Sequence, residues 1–228
     1  MLEIFKKKHK KRDFCFVGIR QHIRTEEELL LVNKVEADLA FKRYKKEIID
    51  SLLLSYGFYK YKTNGYVRLN DIGLLEYINL QKERYGSKTF CVNFAAMPLY
   101  CEYKYIVINL GGRLGTYISG KDVWWDYASE KIAKDSFSNV SIAIEQYILP
   151  WFEQVSTEDG YRAKLLNIHN KKIAKDWLDA MENIEDKETL IRQSIIELKL
   201  PRKMQKVKPL ETFSLVENLK EIENDREI

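Results

Sequence analysis

The chain has 228 residues, 45% hydrophobic and 32% charged, which excludes global disorder and suffices for a core without disulfide or metal support. Its net charge of +4 is unevenly spread: residues 1–24 carry eight basic residues against Glu3 and Asp13, and residues 211–228 carry six acidic ones against Lys220 and Arg226. Three scattered cysteines, Cys15, Cys91 and Cys101, fit neither a disulfide framework nor a zinc knuckle, and no apolar run approaches the roughly 20 residues that span a bilayer, so the expectation is a cytoplasmic protein with no membrane contact.

The basic arm, residues 1–24, contains "KKKHKKR" with Phe14 and Phe16 close by. That composition could contact nucleic-acid phosphates, but a charge run of this length is more often a solvated or disordered extension. The run "FCFVGI" that follows is too short for the apolar part of a secretory signal. Thr25 and Glu28 then have capping-box spacing, and Leu29, Val32, Val35, Leu39, Ile48 and Leu52 recur mostly at three or four up to Gly57. This predicts a long N-terminal amphipathic helix, or two end to end.

Asn64-Gly65 predicts a hairpin, because both residues tolerate positive φ. "NDIG" and "ERYGS" predict further turns, flanking strands at 66–69, 74–82 and 88–97, and Tyr103 to Leu110 reads as another strand that ends at Gly111-Gly112. "GKDVWWDYASEK" sets Asp122 and Asp126 around Trp124 and Trp125. Carboxylates beside rings can serve as acid or base, but at this spacing they more simply favour a helix N-terminus while the tryptophans fill the core. Helical pattern returns from Ser136, stops near Pro150, and resumes around 158–181 and 187–199. "KLPRKMQKVKPL" has the composition of an exposed linker, and Phe213, Val216, Leu219 and Ile222 form the stripe of a short amphipathic helix. The expected organisation is a basic arm (1–24), a domain (25–200), and a linker with a C-terminal helix (201–228). The expected fold class is α+β: an antiparallel meander of four to five strands with helices packed on one face.

Side chains alternate along a strand. Phe90, Val92, Phe94 and Ala96 therefore share one face of their strand, as do Ile78 and Leu80, and Val67 and Leu69, of theirs. With all these sets turned toward helices that include Ile144, Ile148 and Trp151, the opposite face collects Tyr66, Arg68, Tyr77, Asn79, Gln81, Cys91 and Asn93. Asn is depleted in strands, and carboxamides both donate and accept, so Arg68, Tyr77, Asn79, Gln81 and Asn93 are the candidate binding residues. A wet sheet face, or a polar network under a covering helix, accounts for them as well.

The runs "LLSYGFYKYKTNGYVRL", "YINLQKERYGSKTFCVNFAAMP", "GGRLG", "DVWWDY" and "YILPWFEQVST", in that order, resemble the bacterial family known as domain of unknown function 4304, over about residues 36 to 166. The resemblance implies an α+β fold and brings no activity, cofactor or catalytic residue with it.

No catalytic or metal-binding pattern stands out. His9, His22 and His169 lie apart from each other and from the cysteines, and "NLGGRLGTYISG" matches neither phosphate-binding glycine pattern. The functional expectation is a non-catalytic protein-interaction module without cofactor, with an immunity-type protein facing a toxin-like partner as one form of it. Nucleic-acid binding through the basic arm is the alternative. Against an immunity protein that masks a basic nuclease site stands the positive net charge.

Overall fold

The structure, a computed structural model, describes residues 33–205. The basic arm, the Thr25/Glu28 cap and the 213–222 stripe lie outside the described residues. Helix α1 (Lys34–Tyr44) opens at Asn33, whose side-chain oxygen accepts from the N–H groups of Val35 and Glu36 and so satisfies two orphan donors. It runs directly into a π-helical stretch, Lys45–Asp50, and then α2 (Ser51–Ser55). Gly57, at φ +79°, ends it as predicted.

The sheet follows: β1 (Tyr59–Tyr61), β2 (Gly65–Leu69), β3 (Leu74–Lys82), β4 (Thr89–Pro98) and β5 (Leu110–Arg113), antiparallel neighbours in that order. A sixth strand, β6 (Trp125–Asp126), pairs with the start of β4. Helix α3 (Leu114–Ser119) lies between β5 and β6. Then come α4 (Glu130–Ala143), a second π-helical stretch (Ile144–Ile148) and α5 (Leu149–Val155). Three more helices, α6 (Glu158–Leu166), α7 (Lys171–Asn183) and α8 (Lys187–Glu197), and a short 3-10 turn (Arg202–Gln205) close the described chain. An α+β fold on an antiparallel sheet is what the sequence predicts.

One face of the sheet packs on α1 to α2 and α4 to α5. Phe90 stacks on Phe137 and meets Phe41 edge-on, and Phe94 meets Trp151 edge-on. Ile78, Leu80, Val92, Ile144 and Ile148 are fully buried with them. The other face is not bare. Val67, Leu75 and Met97 are also fully buried, and Tyr61 donates its hydroxyl to the Leu198 carbonyl at the end of α8. Helices thus cover part of the second face too, beyond the one-sided packing expected. Leu200 and Met204, at the start of the expected linker, are buried against the same core.

Three local expectations are corrected. Pro150 does not stop its helix, because the wider π turn just before it accommodates the ring and the missing N–H, and the helix runs on to Val155. The stretch 103–109 forms no strand, and the glycines expected to end it lie inside β5. Gly111 has φ +129° and lies so close to β4 that a Cβ would collide with the Phe94 carbonyl, an approach that only glycine permits. In the first hairpin Lys62, at φ +53°, takes the positive φ, while Gly65 already pairs with Tyr61.

Because Phe94 is enclosed by Tyr117, Trp151 and Phe152, Phe94→Ala is expected to cost about 3–5 kcal/mol in chemical denaturation. A loss under about 1 kcal/mol would contradict its place in the core.

Candidate functional site: a polar cleft at a break in the sheet

The register sorts the predicted binding residues into two groups. Residues directly opposite in an antiparallel pair share a face. Asn79 pairs with Asn93 and Gln81 with Cys91, so Asn79, Gln81 and Asn93 do lie together, with Tyr77 further along the same face. Arg68 does not join them. It pairs with Glu76, and Tyr66 pairs with Ile78, which turns both toward the helices, while Val67 pairs with Tyr77 on the second face.

The reason is a pair of buried acids on the helix side. Asp50, from the π-helical stretch, accepts from the Tyr66 hydroxyl at 2.5 Å and is ion-paired to Lys45 and Lys60. Burial pushes its carboxyl up, but the Lys60 and Tyr66 hydrogen bonds and the Lys45 charge outweigh that and hold it below the usual range. Glu76, 1% exposed, is paired with Arg68, which also donates to the Tyr56 carbonyl and lies over the Phe58 ring. Burial raises the Glu76 carboxyl despite Arg68. Simple alternation reads Val67 and Leu69 as the helix-facing set and misses this, since the helix side needs a hydroxyl and a guanidinium more than it needs two aliphatics.

On the second face the residues grade from covered to open. Tyr77 is half-buried, edge-on to Tyr61 beneath the α8 end, and burial pushes its hydroxyl up to about 12. Asn79 is half-buried and donates to the Asn64 carbonyl at 3.4 Å. Asn93 is 5% exposed and donates to Gln81 Oε1 at 3.0 Å, while Gln81 itself is exposed.

The open end coincides with a break in the sheet. Along the outer side of β4, β5 pairs with residues 93 to 96 and β6 with residues 89 and 90, so Cys91 and Val92 fall between them. The chain from α3 to β6 folds into this gap, with Gly115 so tight against Val123 that a side chain would not fit. Here the tryptophan pair splits. Trp125 pairs with Phe90 and is buried on the helix side, whereas Trp124, the next residue along the alternation, is half-buried on the other. Its indole N–H donates to Asp122 at 3.1 Å, and Arg113, the residue opposite Asn93, is ion-paired to the same carboxylate and lies over the Trp124 ring. Asp122 and Asp126 therefore do not start a helix: the first braces this corner, and the second is buried in β6, accepting from the Ala128 N–H.

Gln81, Lys82, Glu83, Arg84, Tyr85, Arg113 and Trp124 line the resulting cleft of about 250 Å³. Arg113 and Trp124 were missed as site residues, and the signal for them was the "WW" dipeptide, which alternation must divide between faces. Buried Cys91 lies under the cleft. Burial pushes its thiol up to about 11, Arg113 pulling it down and Asp122 up, so it is a poor nucleophile. Among the described residues no cluster of His, Cys, Asp and Glu could hold a metal, and no helix is long and apolar enough to cross a membrane.

Fold and cleft together define an α+β domain with a polar and aromatic recess beside its longest strand, β4. Residues 49–154 match the family described as Domain of unknown function (DUF4304), which carries the resemblance read from the sequence over the sheet, the cleft and the helices α4 to α5. No curated protein and no solved structure matches the chain.

Two outcomes follow. Arg68→Ala leaves the Glu76 carboxylate buried without its cation and is expected to cost about 3 kcal/mol at neutral pH. Because the folded Glu76 pKa is already raised and rises further without Arg68, the loss should shrink as pH falls toward the ordinary carboxylate range, and Glu76→Gln in the same chain should recover most of it. A pH-independent loss would contradict the pairing. On the second face, Asn79→Ala should change stability by less than about 0.5 kcal/mol, whereas Asn93→Ala, buried and bonded, should cost about 1 kcal/mol; denaturation of the two single variants checks the contrast.

Proposed function

We propose that the chain is a non-catalytic protein-interaction module of the bacterial cytoplasm, which binds a protein partner through the open end of the second sheet face. The observation that carries this reading is the braced corner: Gln81 held by Asn93, and Arg113 laid over Trp124 and tied to Asp122. Arg and Trp are the residue types that dominate binding energy at interfaces, and side chains fixed in advance lose less entropy on association. Two free cysteines among the described residues, Cys91 and Cys101, are in keeping with a reducing compartment. An immunity-type protein of a toxin system is one form such a module takes. The cleft carries Arg84 and Arg113 at its rim, which favours an acidic partner surface and disfavours the basic active site of a nuclease.

The test is site-specific photo-crosslinking in cells of the source organism, with the reactive residue at Gln81 or at Tyr85, which is 94% exposed, and a control at exposed Lys131 on α4. A discrete crosslinked protein from the two cleft positions, absent from the control and lost with Trp124→Ala, is the expected result. Equal labelling from Lys131, or none from the cleft, would overturn the reading.

A further inference from the structure

The cleft holds an arginine whose hydrogen-bonding capacity is mostly unused. A guanidinium carries five N–H donors. Among the described residues, Arg113 donates from Nη1 to Asp122 Oδ2, and no other acceptor is hydrogen-bonded to it. Its side chain is 36% exposed and lies over Trp124, the guanidinium carbon 5.2 Å from the ring centroid, so the indole and Asp122 hold it in place while its remaining N–H groups have no acceptor among the described residues. Asp122 is shared between Arg113 and the Trp124 indole N–H. It orients the arginine through one nitrogen and leaves the others free.

The neighbouring charges point the same way. Glu83, the acid lining the cleft, spends its carboxylate on the turn: it accepts from the Tyr85 N–H at 2.7 Å and from both the N–H and hydroxyl of Ser87. The Tyr85 hydrogen bond, with those of Ser87 and Arg84, holds its carboxyl below the usual range against its slight desolvation. Lys82 is drawn to the opposite side of the sheet by Asp38 and the rings of Phe41 and Tyr127. The Arg113 charge is shared with Asp122, so among the described residues the cleft offers a ligand the charge of Arg84, which has no ion-pair partner there, and the remaining N–H donors of Arg113. Gln81, with its oxygen engaged by Asn93, has its amide N–H groups left to donate. A recess of about 250 Å³ falls below the volume of drug-sized ligand sites, roughly 300–1,000 Å³, and suits one side chain better than a cofactor.

We infer that Arg113, Gln81 and Trp124 form a carboxylate-binding subsite that takes an Asp or Glu side chain presented by the partner. The inference rests on the protein-interaction reading and specifies what that surface recognises. The carboxylate lies against the free edge of the Arg113 fork, with both oxygens accepting, and Gln81 donates from the side. Geometry of this kind discriminates arginine from lysine, whose ammonium supplies charge but no planar fork.

The probe is a short capped peptide containing three consecutive glutamates, compared with the same peptide containing glutamines. The reading is the Trp124 indole N–H resonance, assigned through Trp124→Phe, as each peptide is titrated into the full chain at low salt. The glutamate peptide is expected to give a saturable shift that the glutamine peptide does not, with affinity falling about tenfold or more in Arg113→Gln and several-fold in Arg113→Lys. The rest of the amide spectrum serves as the check that each variant is folded. Should Arg113→Gln disturb the corner, Gln81→Ala supplies an independent reading, expected to weaken the shift without moving the Arg113 side-chain signal in the free protein. Equal response to both peptides, an undiminished response in Arg113→Gln and in Gln81→Ala, or no shift up to about 10 mM peptide, a binding energy below about 3 kcal/mol, would overturn the subsite. If that happens while crosslinks from Gln81 persist, the interaction surface stands and only its acidic ligand is wrong.

Discussion

The carboxylates of Asp50 and Glu76 lie on the helix side of the sheet, almost wholly buried, where an ionised group without a donor would cost several kcal/mol. Each is met by a side chain from β2, Tyr66 for Asp50 and Arg68 for Glu76. Strand β2 has only one way to supply both, since residues two apart point the same way. The same choice sends Val67 and Leu69 to the second face, where Val67 is buried together with Leu75 and Met97 and forms the apolar half under the α8 end. A one-residue slip of β2 would leave both acids on the helix side facing Val67 and Leu69 and turn Tyr66 and Arg68 onto the second face.

From that constraint the division of the second face follows. Toward Val67, Leu75 and Tyr61 it is apolar and roofed by the C-terminal helices; toward Gln81, Asn93 and Arg113 it is polar and open. The break in pairing along β4, between the partners of Phe90 and of Asn93, keeps the open end from being closed by a continuous edge strand. Instead the turn before β6 brings Asp122 and Trp124 beside Arg113. The cleft is therefore a product of sheet topology, and its residues come from three separate stretches of chain.

The polar groups of this corner are tied to one another. The acids near the cleft are engaged by the protein's own groups, Glu83 in its turn and Asp122 in its brace, and the thiol beneath it is buried and held protonated. The matched family span, residues 49–154, includes the sheet and the whole cleft but not α6 to α8, so the open half of the face lies within the family domain and its roof over the other half is supplied from outside it.

The amino-acid sequence alone determines the elements whose signal is local: the antiparallel β3 and β4 through their alternation, the turns at Asn70 to Gly73 and at Gly86, the α7 and α8 helices, and the burial of Phe90, Val92 and Phe94. It also brings Asn79, Gln81 and Asn93 to one face, because the parity of two adjacent long strands is fixed by their aliphatic residues. Only the tertiary structure decides what depends on partners distant in the chain. Arg68 reads as a surface residue until the burial of Glu76 is known, and Asp122 reads as a helix cap until Arg113 and Trp124 converge on it. Tyr103 to Asn109 has strand-forming residues but pairs with no strand among the described residues, while Leu110 to Arg113, with two glycines, becomes a strand because β4 offers an edge that only a side-chain-free backbone can approach. In each case the deciding energy is a contact between segments, which neither propensity nor periodicity encodes.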